Sequence, residues 1–140
     1  MEYIYTTEAR SVGQARDGRA YLTDGTLEIQ MAQVEELGGS GQGANPEQLF
    51  ALGYATCFHQ AVKKVARQMQ ADASSSSVQS RISFGLDEQG LQTLAVGLEV
   101  SLPYVEMAQA RDIAMRAHAI CPYSRATRGN IEVIVDVVEE

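Results

Sequence analysis

Residues 45–69 read NPEQLFALGYATCFHQAVKKVARQM, and no other stretch constrains the fold as strongly. Asn45 suits a helix cap, Pro46 suits the first helical position, and Glu47 is favoured near the positive end of a helix dipole. Phe50, Tyr54, Cys57, Phe58, Ala61, Val62 and Val65 then recur at helical spacing. The spacing predicts one long helix ending near Met69. Its apolar stripe has to be covered by other parts of the chain.

Two alternating segments follow. Val78, Ser80, Ile82, Phe84 and Leu86 share one strand face, Leu94, Val96, Leu98, Val100 and Leu102 share another, and DEQG (87–90) is a turn. A second helix is expected over about 105–120, with Ala110, Ile113, Ala114, Ala117, Ile120 and Cys121 as its stripe and Pro122 as its stop. The segment IEVIVDVV (131–138) is dense in β-branched residues and reads as a strand. Ahead of the long helix, residues 2–8 read as an edge strand. RAYLTDGTLEIQM (19–31) reads as a hairpin with a type I′ turn at Asp24-Gly25 and alternating Leu27, Ile29 and Met31. GGSGQG (38–43) is a flexible loop that lacks the GK[ST] ending of a phosphate loop, and SSSS (74–77) is a loop. No internal repeat is present. The order β-β-β-α-β-β-α-β, linked mostly by hairpins, makes the fold class α+β, and 140 residues suit a single domain over 1–140.

Charge excludes some functions. A net charge of −7 argues against nucleic acid and against an anionic membrane surface, because both require clustered Lys and Arg. No apolar run approaches the roughly 18 residues of a spanning helix. MEYIYTTEAR lacks the basic start and apolar core of a signal peptide, so the expected location is cytoplasmic. Thiols stay reduced there, and a disulfide is more often catalytic or sensing than structural.

Both cysteines, Cys57 and Cys121, fall on apolar stripes. Two small hydrophobes in a core would explain them. A reactive thiol would instead need to ionise, which apolar burial opposes. Cys57 lies about ten residues into its helix, roughly 15 Å from the N-terminus, beyond the reach of the dipole. A cation from elsewhere must then assist, and Arg16, Arg19, Arg125 and Arg128 are the candidates. Cys57-x-His59 and His118-x-x-Cys121 invite a zinc reading, but residues two apart on a helix point to opposite sides, so no metal is expected. His118 shares a helix face with Cys121 and reads as a structural histidine or as an aid to that thiol. No Ser-His-Asp arrangement, nucleophile elbow or carboxylate pair is visible.

Longer motifs narrow these alternatives. NPEQLFALGYATCFHQA (45–61), AHAICPYSRATRGNIEV (117–133), the ARDG segment (15–18) and LGGSGQGANPEQLF (37–50) closely resemble the organic hydroperoxide resistance (Ohr) branch of the OsmC/Ohr family, over nearly the whole chain. The resemblance implies an antiparallel-rich sheet packed on two helices in an intertwined homodimer. It implies a cytoplasmic, thiol-dependent peroxidase of organic hydroperoxides that uses no cofactor. By motif, Cys57 matches the peroxidatic cysteine, Cys121 the resolving cysteine, Arg16 the arginine that supports the thiolate, and Glu47 the glutamate that orients it. The implied reductant is a dithiol, a lipoylated protein or dihydrolipoamide rather than thioredoxin. Two departures stand out: Arg125 occupies a position where the family usually has Asn, and the start is short, which leaves Arg19 as the fallback for Arg16.

In that chemistry the Cys57 thiolate becomes a sulfenic acid and closes a disulfide with Cys121. Phe50, Tyr54, Phe58 and Met115 could wall an apolar substrate site, although each also suits plain core. Ten residues separate Glu47 from Cys57, about 15 Å along one helix. Either the helix starts later, or Arg16 and Glu47 come from the partner subunit. Other readings of the same thiols are a non-enzymatic redox sensor, a binding module with incidental cysteines, and a peroxidase of the OsmC branch.

Overall fold

The long helix forms as its cap signals predict. In the computed structural model, which describes residues 1–139, α1 spans Pro46–Gln68. Its start is a reciprocal capping box: the Gln48 N–H donates to Asn45 Oδ1 at 2.9 Å, and the Asn45 N–H donates to Gln48 Oε1 at 3.0 Å. Its end is fixed by Gln70, whose φ of 55° lets the Ala71 N–H return to the Ala66 carbonyl at 2.8 Å. By contacts the chain divides into two compact units, Met1–Leu49 and the part from Phe50 onward.

The first unit carries three antiparallel strands, β1 (Ala9–Val12), β2 (Arg19–Leu22) and β3 (Glu28–Gln30), in that order. The edge strand is displaced from the expected 2–8. Ala9 already opposes Leu22, the last residue of β2, and before it only Glu8 extends the ladder, its carbonyl accepting from the Thr23 N–H at 3.0 Å. Asp24-Gly25 does lie in the β2–β3 connection, but the loop is longer than a two-residue turn. The Leu22 N–H reaches the Leu27 carbonyl at 2.9 Å, and the Asp24 carboxylate accepts from the Thr26 N–H and hydroxyl at 2.9 and 2.7 Å. That side-chain capping satisfies the extra residues and removes the need for a tight turn. The 38–43 segment is a loop, and a bridge from Met31 to Ala44 leads the chain into α1.

The second unit holds the core. Strands β4 (Ser77–Leu86) and β5 (Gln92–Ser101) form the expected hairpin. Its register sets Val78 against Val100, Ile82 against Val96 and Phe84 against Leu94, so the two apolar rows lie on one face of the sheet. Helix α2 spans Met107–Ile120 and is capped by the Glu106 side chain. A short helix, α3 (Pro122–Thr127), follows where only a stop was expected. Six residues are too few for periodicity to reveal. Strand β6 (Val133–Val138) then pairs parallel to β5, a pairing that needs the α2–α3 crossover rather than a hairpin. The strands thus form two three-stranded sheets, with three of the four strand pairings antiparallel, in an α+β architecture.

Tyr54, Phe58, Val62 and Val65 of α1 pack in one cluster with Val96, Leu98 and Val100 of β5 and with Ala110, Ile113 and Ala117 of α2. Small alanines on α2 allow close approach, and each large side chain fully buried contributes about 1.5–3 kcal/mol. Leu98, on the central strand, is the sharpest test of this core. Leu98→Ala is expected to lower stability by about 2–5 kcal/mol, measured as a lower urea midpoint at unchanged slope.

Candidate active site

Cys57 lies on α1, and Cys121 lies on the corner between α2 and α3. Pro122 shapes that corner. The residue before a proline is pushed out of helical backbone, and Cys121 is extended at φ −62° and ψ 125°. The Cys121 N–H still closes the last turn of α2 on the Ala117 carbonyl at 2.8 Å. The chain then re-enters a helix with proline at its start. Both cysteines are free thiols, and their sulfurs stand 3.6 Å apart across 64 residues of sequence. A disulfide needs about 2.05 Å, so closing requires only a modest approach of the two sulfurs. Cys121 is fully buried and Cys57 half-buried.

The surroundings oppose ionisation. Burial pushes the Cys57 thiol above its ordinary range, and the neighbouring Cys121 sulfur adds to the rise. The backbone N–H of Tyr123, which reaches Cys57, pulls the other way but does not win. Taken together, these influences favour the neutral form of the Cys57 thiol.

Beside the sulfurs runs a buried polar chain. His118 Nδ1 lies 2.8 Å from Ser124 Oγ, Ser124 Oγ lies 2.8 Å from Tyr54 Oη, and Tyr54 Oη lies 3.2 Å from Thr127 Oγ1. The Thr127 hydroxyl also donates to the Ser124 carbonyl at 3.2 Å. Tyr54 and Ser124 have no exposed surface. His118 is held by this bond rather than turned to either sulfur, while His59 bonds the Ser76 hydroxyl through Nε2 at 2.9 Å. Burial lowers the affinity of both rings for a second proton, and for His118 nearby Arg128 adds to the effect.

Within the first unit, Arg16 and Glu47 form a two-pronged pair. Arg16 Nη2 donates to Glu47 Oε1 at 2.9 Å and Nη1 to Oε2 at 3.3 Å. The Arg16 hydrogen bonds hold the Glu47 carboxyl below its ordinary range, and Glu47 in turn raises the guanidinium. The turn carrying Arg16 (Ala15–Asp17) is anchored on both sides. Asp17 accepts from the Gln33 N–H at 3.1 Å, and the Gly18 carbonyl accepts from the Met31 N–H at 2.9 Å. The fallback Arg19 is engaged otherwise, with Glu28 and over the Tyr21 ring. Arg128 donates to the His118 carbonyl at 2.6 Å, and Arg125 is exposed.

The four candidate substrate residues do not share one environment. Tyr54 and Phe58 are sealed in the core, and Met115 is turned outward at 57% exposed. Phe50 is half-buried, and its ring stacks on Tyr123 at 6.0 Å between centroids and 18° between planes. Tyr123 was not singled out in the sequence, yet its ring covers Phe50 and its N–H meets Cys57. A Cβ at Gly53 would stand 2.7 Å from the Tyr123 hydroxyl, so the missing side chain leaves the space in which that ring lies. Ser124 and Thr127 were missed for the same reason as α3 itself.

Comparison with known proteins identifies the family of the chain. Residues 39–136 match the family model described as OsmC-like protein. The organic hydroperoxide resistance protein of Xanthomonas axonopodis pv. citri is 41% identical over 132 residues, 93% of this chain and 92% of that one. An organic hydroperoxide resistance protein from Elizabethkingia anophelis, solved with crystallant-derived thiocyanate bound, is 37% identical with a TM-score of 0.93 over 100% of both chains. A putative organic hydroperoxide resistance protein from Vibrio cholerae, solved with captopril bound in one of its active sites, is 41% identical with a TM-score of 0.91 over 98% of this chain and 94% of that one. The helix carrying Cys57, the corner carrying Cys121 and the paired Arg16 and Glu47 thus occur in a chain that belongs to the OsmC/Ohr family.

Proposed function

We propose that this protein is a single-domain, cysteine-based peroxidase that reduces organic hydroperoxides to alcohols. The observation that carries the reading is the 3.6 Å approach of two free sulfurs, one half-exposed and one buried, in a member of this family. Relatives named for organic hydroperoxide resistance support the substrate class. The Cys57 thiolate attacks the distal oxygen of ROOH, the O–O bond breaks, and the alkoxide leaves as ROH after taking a proton. Cys57 then carries a sulfenic acid. The Cys121 thiol attacks that sulfur, forming the disulfide, and the hydroxyl leaves with the thiol proton as water. A dithiol reductant of the dihydrolipoamide type reopens the bond by exchange.

The thiolate needs a cation, and Arg16 is the one held ready by a carboxylate. A planar fork fixed by Glu47 can lower the thiol pKa and donate to the peroxide oxygens as charge develops. α1 runs unbroken from Pro46, so the helix does not start later than Glu47. In the proposed mechanism the pair acts on the Cys57 of a partner subunit in a homodimer. The stacked rings of Phe50 and Tyr123 offer the apolar surface for the alkyl group.

Cys57→Ser is expected to abolish hydroperoxide reduction, and Cys121→Ser to consume about one equivalent and stall at the sulfenic acid. Full steady-state turnover by Cys57→Ser would refute the assignment. Bulky alkyl hydroperoxides should be used with kcat/KM at least ~10-fold above hydrogen peroxide, about 1.4 kcal/mol of transition-state preference. Phe50→Ala should erode that ratio and leave the hydrogen peroxide rate nearly unchanged, and steady-state kinetics with both oxidants measures it.

Arg16→Ala should move the pH–rate profile to higher pH. Burial raises the Cys57 thiol, so without the cation the reactive thiolate fills only at more alkaline pH. Arg16→Lys should restore part of the rate, because it returns charge without the fork. Co-expressed Cys57→Ser and Arg16→Ala chains should regain activity as heterodimers, in which one site has both groups. Inactive purified heterodimers would place the pair and the thiol on one chain.

A further inference from the structure

The hydroxyl chain beside the sulfurs has a geometry that the peroxide chemistry has not used. Tyr54 stands three residues before Cys57 on α1, and Ser124 stands three residues after Cys121 at the α3 corner. The Tyr54–Ser124 bond of 2.8 Å and the sulfur–sulfur approach of 3.6 Å are therefore two rungs between the same pair of elements, about one helical turn apart. One proton arrangement satisfies the whole chain. His118 Nδ1–H donates to Ser124, Ser124 donates to Tyr54, Tyr54 donates to Thr127, and Thr127 donates to the Ser124 carbonyl. Each hydroxyl then both gives and accepts, in a site where Tyr54 and Ser124 have no exposed surface. Water cannot easily substitute for a lost member, so the network is strict about the distance between α1 and the corner. The same corner supplies the Tyr123 N–H that reaches Cys57.

We propose that Tyr54 and Ser124 are positioning residues for closure of the Cys57–Cys121 disulfide. Their hydroxyl bond holds the Cys121 corner against α1, so the buried Cys121 thiol meets the oxidised Cys57 sulfur before a second peroxide does. In that step the sulfenic S–O bond breaks, the S–S bond forms, and the hydroxyl leaves with the Cys121 proton as water. When closure is slow, a second hydroperoxide oxidises the sulfenic acid to the sulfinic acid, and that chain is lost to the cycle. This inference deepens the peroxidase reading and depends on it only for the identity of the oxidant.

Its test therefore has an arm free of peroxide. Wild type, Tyr54→Phe and Ser124→Ala are equilibrated in dithiothreitol redox buffers, trapped by alkylation and read by mass spectrometry for the fraction with the Cys57–Cys121 bond. Tyr54→Phe keeps the volume and ring of the core, so it separates the hydroxyl from packing. Both variants should close the disulfide about tenfold less favourably than wild type, a shift of about 30 mV for a two-electron couple. Leu98→Ala, destabilised but with the chain intact, should keep the wild-type constant within about twofold, which a purely structural role of Tyr54 would not distinguish. In the second arm, repeated organic hydroperoxide should leave more Cys57 sulfinic acid per turnover in Tyr54→Phe than in wild type. If the dithiothreitol constants shift but wild type consumes no hydroperoxide, the peroxidase reading fails while the positioning role stands. Closing constants for Tyr54→Phe and Ser124→Ala that match wild type would overturn the inference.

Discussion

The thiol site depends on one meeting place, where α1 passes the corner made by Cys121 and Pro122. Neither sulfur could find the other through local structure, because 64 residues separate them. The approach comes from packing. Tyr54 and Phe58 lock α1 into the core, Ala110, Ile113 and Ala117 do the same for α2, and the parallel return to β6 forces the chain to turn sharply after α2. Pro122 makes that turn abrupt by holding Cys121 out of helical backbone. Moving either helix by a fraction of a turn would separate the sulfurs by several ångströms, since one turn spans about 5.4 Å.

Charge is handled separately from packing. The second unit places the Cys57 thiol among groups that raise its pKa, while the first unit builds a fixed guanidinium on a carboxylate. A buried thiol without a cation is inert, and a paired arginine without a thiol is only a surface ion pair of little energetic weight. The proposed mechanism needs the two to meet across a dimer.

Local patterns made α1, the β4–β5 hairpin and α2 legible. Their caps and periodicities are properties of contiguous residues, and Asn45, Pro46 and the apolar stripe behave as propensity predicts. What failed depended on partners. Residues 2–8 have strand-like composition, but β2 is already used by Ala9–Val12 and only Glu8 bonds onward, to the Thr23 N–H. The Asp24-Gly25 signal located the turn but not its length, which the Asp24–Thr26 bonds set. At the site, the cysteines stood out through long motifs, but residue chemistry alone left four arginines open. The motif resemblance singled out Arg16 with Glu47, and the fold pairs them and occupies Arg19 with Glu28. Tyr123, Ser124 and Thr127 were illegible because their partners lie about 70 residues away and their helix is six residues long.

Exposure also bears on the proposed division of labour between the cysteines. In the proposed cycle a hydroperoxide has to reach the sulfur it oxidises, and a fully buried Cys121 offers no route to a bulky substrate. Cys57 is half-exposed, and Tyr123 beside it carries the aromatic surface that Phe50 completes. In the proposed cycle Cys121 has only to reach Cys57, whose sulfur stands 3.6 Å away, so its burial is no hindrance. The same burial raises the Cys57 pKa, so exclusion of water and ionisation pull against each other at that residue. In the proposed mechanism an external guanidinium resolves the conflict, because it would stabilise the thiolate without opening the pocket to solvent and add hydrogen-bond donors where a peroxide oxygen gains charge. The order proposed for the cycle, oxidation at the half-exposed sulfur and resolution by the buried one, is the order that accessibility favours.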